Sequence, residues 1–360
     1  MTTLDLAQIV AKANIHRLSL IGLSKNVGKT TTTNYLLETL LNQNLYRAEE
    51  LAITSLGLDG EAVDALTGLP KPRYAPQRGI LVATAAELVR QAESKGAQFE
   101  HLLHFPGRTA LGPVMLVRVL RPGQIVIAGP TLLSELGNVL DQLQAFGARL
   151  GIIDGAINRL GAASPNISDA CIVCTGASAG ATPEIVARRT ADVFVRLTVP
   201  QSSWRDEYKK LLPEDRLVTF SPDGGVGRFT GQSEPVGEAR WIVERAQCFH
   251  NMVCLLRGAF TEELSRELLR QLPHEPVATR PVELIVGDGT KIFCHSATLQ
   301  RLAVRGLRLS VANPIRILAC AINPYTPEYT CTPQHLLDAL VRELPADRPP
   351  VLDVISGLGA

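Results

Sequence analysis

A glycine-bounded loop between residues 22 and 31 constrains the fold of this chain more than any other feature. An apolar run of strand length, residues 18–21, precedes it, and residues 31–41 carry leucines with a helical period. Between these segments, Gly22 and Gly28 bound a stretch that is followed by Lys29 and Thr30. In such a loop the backbone N–H groups point inward, and the N-terminus of the helix adds partial positive charge. The order of strand, loop and helix therefore predicts a site that binds phosphate groups.

The residues of this loop have separate expected roles. Lys29 can reach the β- and γ-phosphates of a nucleotide, and the Thr30 hydroxyl can bind Mg²⁺. The expected nucleotide-binding residues are Gly22, Ser24, Lys25, Asn26, Val27, Gly28, Lys29, Thr30 and Thr31. Five residues separate the two glycines, one more than in the standard pattern, and Leu23 stands where the first glycine is expected. The alternative interpretation is a plain strand–helix turn with an incidental lysine.

The composition is that of a globular protein with a sizeable core. Hydrophobic residues make up 46% of the 360 residues and charged residues 20%, which excludes wholesale disorder. The net charge is +1, from 36 basic and 35 acidic residues, so no general electrostatic field favours nucleic acid or an anionic membrane. We therefore expect neither nucleic acid nor a membrane among the partners.

The seven cysteines are scattered and odd in number. Cys171 and Cys174 have the spacing of a metal or redox pair, but they lie in a predicted strand, where residues three apart face opposite sides. Buried free thiols are the preferred interpretation. The chain shows neither the pattern of a secretory signal peptide nor an apolar run of membrane-spanning length, and we expect a cytoplasmic protein.

Segments typical of strands and helices alternate through about residue 200. The predicted strands are 18–21, 51–55, 125–128, 150–153, 170–174 and 194–199. The predicted helices are 4–13, 31–41, 83–93, 132–145 and 183–190. Alternation with continuous apolar strands predicts an α/β fold with a mostly parallel, doubly wound sheet of the P-loop NTPase type.

The second part of the chain predicts an α/β extension. Residues 200–237 are irregular and contain a strong turn signal at 221–225. Helices are predicted at 239–256, 261–271 and 333–343, and strands at 282–286, 307–311 and 315–321. We expect a nucleotide-binding domain in residues 1–205 and a C-terminal α/β domain or extension in 206–360. The pattern leaves open whether the latter is separate or continues the first sheet.

Two aspartates follow predicted strands, at the sheet edge where ligands bind in such folds. Asp154 follows residues 150–153 and fits the aspartate that holds Mg²⁺ through its water shell. Asp59 follows residues 51–55 and fits a switch segment that contacts Mg²⁺ or the attacking water. Lys29, Asp59 and Asp154 are therefore the expected catalytic residues, and Thr30, Asp59 and Asp154 the metal-binding ones. The alternatives are a strand-ending Asp-Gly turn and a plain acidic loop.

The sequence carries a weaker signal for the base of the nucleotide. The Asn-Lys-x-Asp box that reads guanine in ordinary GTPases is missing, which favours ATP by default and leaves GTP open. The nearest polar candidates, Asn158 with Arg159 and Asn323, match no known base-reading pattern.

Several motifs, taken in order, resemble those of one family, the P-loop subunit of the lysine 5,6-aminomutase reactivase. The motifs are Gly22-Leu23-Ser24-Lys25-Asn26-Val27-Gly28-Lys29-Thr30-Thr31-Thr32, Thr54-Ser55-Leu56-Gly57-Leu58-Asp59-Gly60-Glu61, Ala128-Gly129-Pro130, Ile153-Asp154-Gly155-Ala156-Ile157-Asn158-Arg159, Ala163-Ser164-Pro165, Thr175-Gly176-Ala177 and Ile322-Asn323-Pro324-Tyr325-Thr326-Pro327. More broadly, the longer loop is similar to those of dethiobiotin synthetase, cobyrinate amidase and the molybdopterin-guanine-dinucleotide group.

The resemblance implies an ATP-dependent helper that works with a larger partner ATPase. Together they would exchange damaged cobalamin in an adenosylcobalamin-dependent amino-acid aminomutase for fresh cofactor. The Asp-x-His-x-x-Gly signature of cobalamin binders is absent from the sequence, as expected for a helper that does not hold the corrinoid. In dimerising relatives a second lysine of the loop crosses to the partner's nucleotide. Lys25 stands one position closer to Lys29 than that lysine does. A homodimer therefore remains one of the alternatives, and the preferred interpretation of Lys25 is a solvated lysine.

Two other functions remain as alternatives. A ligase of the dethiobiotin synthetase or cobyrinate amidase kind would use ATP to activate a carboxylate by phosphorylation, although the C-terminal cysteines lack the elbow of the amidases' glutaminase domain. A binding module would use nucleotide only to stabilise an assembly. Carboxylate-dependent ATP consumption would favour the first, and tight binding without hydrolysis the second.

Overall fold

The computed structural model describes residues 4–57, 73–109, 111–155, 160–249, 251–273, 281–325 and 331–360. The strands of these residues are β1 Arg17–Gly22, β2 Leu51–Leu56, β3 Leu81–Ala85, β4 Gln98–Thr109, β5 Gly112–Arg121, β6 Leu150–Gly155, β7 Ala170–Gly176, β8 Leu217–Phe220, β9 Val226–Arg228, β10 Met252–Leu256, β11 Val282–Val286, β12 Leu307–Val311, β13 Ile317–Asn323 and β14 Val351–Leu352. The α-helices are α1 Leu6–Lys12, α2 Lys29–Asn42, α3 Ala86–Ser94, α4 Leu133–Ala145, α5 Pro183–Leu197, α6 Arg205–Lys209, α7 Pro235–Cys248, α8 Glu262–Gln271, α9 Ser296–Val304 and α10 Pro333–Glu343.

The first sheet has nine strands in the order β14-β13-β7-β1-β6-β2-β3-β5-β4. Neighbours from β14 to β3 are parallel, and β5 and β4 add an antiparallel hairpin at one edge. The residues of β2, β3, β6 and β7 are all buried, because helices cover a parallel sheet on both faces. The expectation of a mixed α/β fold with a large, mostly parallel sheet is confirmed.

The strand order brings distant parts of the chain to one place. β1 lies between β6 and β7, and β13 lies beyond β7. The registers pair Leu20 with Asp154, Gly22 with Cys174, and Gly176 with Asn323. Since these strands are parallel, their carboxyl ends meet at the same edge of the sheet, and this edge is the usual ligand-binding side of an open α/β fold.

A second sheet of five strands has the order β12-β11-β10-β8-β9. β10, β11 and β12 are parallel, and β8 and β9 complete the sheet in antiparallel pairing. The turn signal at 221–225 connects β8 to β9, where Ser221 N–H donates to the Gly225 carbonyl at 2.9 Å. A core of buried aliphatic residues and Phe260 lies between this sheet and its helices.

The chain divides into two compact units. One contains Met1–Ala191 and Arg316–Ala360, and the other contains Asp192–Ile315. The expected boundary near residue 205 therefore differs from the observed division, and residues 316–360 belong with the first unit. The reason is that β13 and β14 extend the first sheet next to β7, a pairing between distant segments that local sequence patterns do not encode.

Several predicted elements differ from the observed ones. Residues 194–199 are predicted as a strand, but residues 194–197 form the last turn of α5 and 198–199 follow it, because Phe194 and Leu197 are buried with the spacing of a helix. Residues 125–128 form no continuous strand; Ile125 makes an isolated bridge with Tyr74, and Ala128 is a further isolated bridge residue. The helix predicted at 239–256 ends at Cys248 and gives way to β10.

Two further differences concern the first unit. The helix predicted at 83–93 is β3 followed by α3. The β4–β5 hairpin was not predicted at all. None of the helices within the described residues is both long and apolar enough to span a membrane.

Candidate functional site

The 22–31 loop joins the end of β1 to the start of α2, as predicted. Gly28 is the N-cap of α2 and has a left-handed backbone, with φ of 85° and ψ of 16°. Asn26 is also left-handed, with φ of 58°. Glycine adopts this conformation at little cost, and asparagine does so more readily than most other residues. Because glycine has no side chain, the N-cap of α2 makes no side-chain hydrogen bond, and the first N–H groups of a helix have no partner within the helix itself.

The Lys29 side chain folds back over the end of β1. A Cβ atom added at Gly22 would lie 2.8 Å from Lys29 Nζ and 2.9 Å from its Cδ. Lys29 is correspondingly buried, with 6% of its surface exposed. The Lys29 side chain therefore occupies the space that a side chain at residue 22 would fill. This packing holds the Lys29 ammonium group at the mouth of the loop.

The turn after β7 holds the front of the loop. Ser178 Oγ donates to the Lys25 carbonyl at 2.7 Å, and Ser24 Oγ lies 3.2 Å from Ser178 Oγ. The Leu23 N–H donates to the Cys174 carbonyl at 3.1 Å. The loop is thereby anchored at two points, one on β7 and one in the turn after it, which preorganises its backbone.

Asn323, at the end of β13, holds the back of the loop. Its Nδ2 donates to the Asn26 carbonyl at 2.7 Å, and its Oδ1 accepts the Tyr325 N–H at 3.1 Å. A Cβ atom added at Gly28 would lie 3.1 Å from Asn323 Cβ. The Asn323 amide therefore positions the loop; of the other base-reading candidates, Asn158 and Arg159 lie outside the described residues.

Asp154 lies on β6 beside the start of α2. It is buried, with 2% of its surface exposed, and its Oδ2 accepts a hydrogen bond from Thr30 Oγ1 at 3.4 Å. A hydroxyl and a carboxylate are oxygen ligands of the kind that Mg²⁺ prefers. The described residues hold no cluster of three or more His, Cys, Asp or Glu side chains suited to a metal. The pair of Thr30 and Asp154 fits a cation that takes its other ligands from phosphate and water.

Tyr74 completes this part of the site and was missed by the sequence reasoning. Its hydroxyl donates to Asp154 Oδ2 and lies 3.4 Å from Thr30 Oγ1. An antiparallel bridge to Ile125 holds its backbone, with N···O distances of 3.1 and 2.9 Å. Tyr74 belongs to no recognisable motif. The only sequence signal that bears on it is the strand predicted at 125–128, because Ile125 is the residue that pairs with Tyr74.

The cysteines of β7 are buried free thiols, as predicted. Burial raises the pKa of Cys174 to about 12, and the nearby Lys29 only partly opposes this shift. Burial likewise raises the pKa of Cys171 to about 12. Since the thiolate is the nucleophile, burial of this kind disfavours the reactive form of both thiols.

The end of β2 forms the far side of the sheet edge. Gly129 N–H donates to Ser55 Oγ at 2.9 Å, and Gly57 N–H donates to the Pro130 carbonyl at 2.7 Å. Asp59 follows in the sequence but lies outside the described residues. Its catalytic and metal-binding roles therefore stay predictions.

The structure thus brings together Lys29, Thr30 and Asp154 at the N-terminus of α2, with Tyr74 and Asn323 as additional residues. A fixed ammonium, a helix N-terminus and an oxygen pair suit a charged phosphate group with its cation. No family model, curated protein or solved structure matches this chain.

Proposed function

We propose that this chain binds a nucleoside triphosphate with Mg²⁺ at the 22–31 loop, ATP in preference to GTP, and hydrolyses it. One observation carries the proposal: the Lys29 ammonium lies over Gly22 at the N-terminus of α2, and the next residue, Thr30, meets Asp154 across the sheet edge. The Lys29 ammonium matches the phosphate groups of a metal-bound nucleotide, and the oxygens of Thr30 and Asp154 match its metal ion.

Each residue would act on a different part of the nucleotide. Backbone N–H groups of the loop and of α2 bind the phosphate oxygens, and Lys29 neutralises charge on the β- and γ-phosphates. Thr30 and Asp154 hold Mg²⁺, which when bound neutralises the charge that develops during phosphoryl transfer. Asp59 orients the metal or the attacking water. Unchanged hydrolysis in a folded Asp59→Ala variant would remove Asp59 from this scheme.

We further propose that the hydrolysis serves the reactivation of a cytoplasmic adenosylcobalamin-dependent amino-acid aminomutase, together with a partner ATPase. The support for this step is the order of motifs that resembles the reactivase family. The test is the recovery of mutase activity after inactivation by damaged cobalamin, with fresh adenosylcobalamin supplied. Recovery that needs this chain, the partner and hydrolysable ATP would support the proposal, and recovery unaffected by Lys29→Ala would contradict it.

The first experiment is equilibrium binding of ATP and GTP, with Mg²⁺ and with a chelator, to the wild type and Lys29→Ala. We expect Lys29→Ala to weaken Mg²⁺–ATP binding at least tenfold, as the loss of a charge-assisted hydrogen bond predicts. The matched control is Lys25→Ala, which removes a partly exposed lysine from the same loop and should change the affinity less.

The outcomes separate the competing functions. Absence of binding to either nucleotide, in a protein shown to be folded, would refute the proposal. Tight binding without turnover would favour a nucleotide-stabilised binding module. Turnover that depends strictly on a small carboxylate would favour the ligase.

A further inference from the structure

Three oxygen atoms converge at the start of α2. Thr30 Oγ1 lies 3.4 Å from Asp154 Oδ2 and 3.4 Å from the Tyr74 hydroxyl, and that hydroxyl donates to the same Asp154 oxygen. Tyr74 is buried, with 6% of its surface exposed, so its hydroxyl is aimed into the site by packing.

The Tyr74 hydroxyl contacts both residues that would hold the proposed cation and its bound water, Thr30 and Asp154. Mg²⁺ keeps its oxygen ligands at about 2.0–2.1 Å and dehydrates reluctantly, so a cation beside Thr30 would present a bound water to Asp154. Asp154 Oδ2 already accepts hydrogen bonds from Tyr74 and Thr30, which together take up its two lone pairs, so a water bonded to that oxygen has to displace one of these donors. The phenol and the hydrated cation therefore compete for Asp154 Oδ2.

We propose that Tyr74 holds Asp154 in the nucleotide-free protein and leaves it when Mg²⁺–nucleotide binds, so that Tyr74 sets the affinity of the site for the metal complex. This inference rests on the proposed function of the site. A ligand can shift a conformation only by its differential affinity for the two states. Binding of the metal complex breaks the hydrogen bond between Tyr74 and Asp154, which lowers the net binding free energy. Binding of the metal-free nucleotide leaves this hydrogen bond intact.

The backbone around Tyr74 stays in place during this change. The Arg73 carbonyl accepts a hydrogen bond from Asn34 Nδ2 of α2 at 3.0 Å, and both polar backbone atoms of Tyr74 are bonded to Ile125. The phenol ring therefore swings about a fixed backbone. Residues 58–72, which directly precede this anchor in the sequence, contain the candidate switch residue Asp59.

The experiment compares Tyr74→Phe with the wild type by calorimetric titration with ATP, in Mg²⁺ and in a chelator. Phenylalanine keeps the ring and removes only the competing hydroxyl. We expect Mg²⁺–ATP binding to tighten about tenfold or more, the equivalent of one charge-assisted hydrogen bond, and metal-free ATP binding to stay within about twofold. The matched control is Tyr46→Phe, because Tyr46 is comparably buried, at 9% exposure, and lies outside the site.

A second measurement uses the wild type alone and does not depend on the folding of a variant. Addition of Mg²⁺–ATP should produce the near-ultraviolet difference spectrum of a tyrosine that loses a carboxylate acceptor, and metal-free ATP should not. Weaker or unchanged Mg²⁺–ATP binding by Tyr74→Phe, or no spectral change in a wild type that binds Mg²⁺–ATP, would overturn the inference and leave the proposed function standing. Failure of the folded wild type to bind any nucleotide would overturn both.

Discussion

Substitution of Gly22 by alanine is expected to weaken nucleotide binding while the fold survives. The added Cβ would lie 2.8 Å from Lys29 Nζ, 2.9 Å from Lys29 Cδ and 3.0 Å from Val27 Cγ2, distances that real Cβ atoms essentially never show or only rarely tolerate. The clash falls mainly on the far end of a flexible lysine. The side chain can therefore retreat, and we expect a loss of unfolding free energy of only about 1 kcal/mol.

The retreat moves the ammonium away from the phosphate position. The largest effect is the loss of one charge-assisted hydrogen bond, about 1.5–3 kcal/mol, which corresponds to a roughly ten- to hundredfold weaker affinity. Calorimetric titration with Mg²⁺–ATP measures this affinity, and urea denaturation measures the stability of the same sample.

The matched control is Gly137→Ala in α4. No heavy atom lies within 4 Å of a Cβ built there, so alanine should leave the affinity unchanged and stabilise the helix by about 0.5–1 kcal/mol. Binding by a folded Gly22→Ala variant within about twofold of the wild type would refute the reasoning, because the placement of Lys29 over Gly22 would then be irrelevant to phosphate binding.

Two further predictions follow from the neighbours of the loop. Asn323→Ala removes the hydrogen bond to the Asn26 carbonyl, and we expect about three- to tenfold weaker Mg²⁺–ATP binding by calorimetry; full affinity would show that the loop keeps its shape without it. Burial raises the pKa values of Cys171 and Cys174 from 9.0 to about 12, so the unfolded state loses these protons at lower pH than the folded state does. The free energy of unfolding should be unaffected by these thiols below about pH 9 and fall by about 1.4 kcal/mol per thiol per pH unit between about 9 and 12. Burial also raises the pKa values of Cys254, Cys294 and Cys320, so the whole chain should lose stability at least this steeply. Urea denaturation at several pH values measures this fall, which the exposed-thiol control Cys248→Ser should retain; a constant stability up to pH 11 would contradict it.

The elements that could be predicted from the sequence are those whose burial is encoded locally. The buried parallel strands β2 and β6 begin with short apolar runs, and α10 is preceded by its N-cap Thr332, whose side chain accepts the His335 N–H, and has a proline as its first residue. In each case the signal that defines the element lies within it or at its ends. For that reason the predicted bounds of α10, β11 and β12 coincide with the observed ones.

The β4–β5 hairpin could not be predicted in the same way. β4 is an edge strand with polar residues along it, and it contains the dipeptide Pro106-Gly107, which is typical of a turn. The pairing with β5 shifts register between Phe105 and Arg108, so the dipeptide falls at an irregularity inside the strand. An edge strand tolerates proline there because one side of its backbone has no ladder partner.

The prediction of a single helix over residues 239–256 was also wrong. Apolar residues lie in both α7 and β10, but α7 ends at Cys248, Phe249 already has an extended backbone with φ of −126° and ψ of 141°, and Asn251 just before β10 is left-handed with φ of 51°. Asparagine visits that conformation because its short polar side chain can bond locally. A short connection between Cys248 and Met252 thus divides a segment that periodicity alone predicts as one helix.

The residues of the candidate site also differ in whether their positions follow from nearby sequence or from distant parts of the chain. The positions of Lys29 and Thr30 follow from a loop whose strand, glycines and helix are adjacent in sequence, and Asp154 follows from the rule that strand ends carry ligand groups. Asn323 reaches the same place only through the strand order, and Tyr74 only through its bridge to Ile125. The hydrogen bond between Asn323 and Asn26 joins residues 297 positions apart. The chemical groups of the predicted phosphate loop therefore come from one short segment of the chain. Its shape depends also on β13, a C-terminal strand of the first sheet, through the hydrogen bond from Asn323.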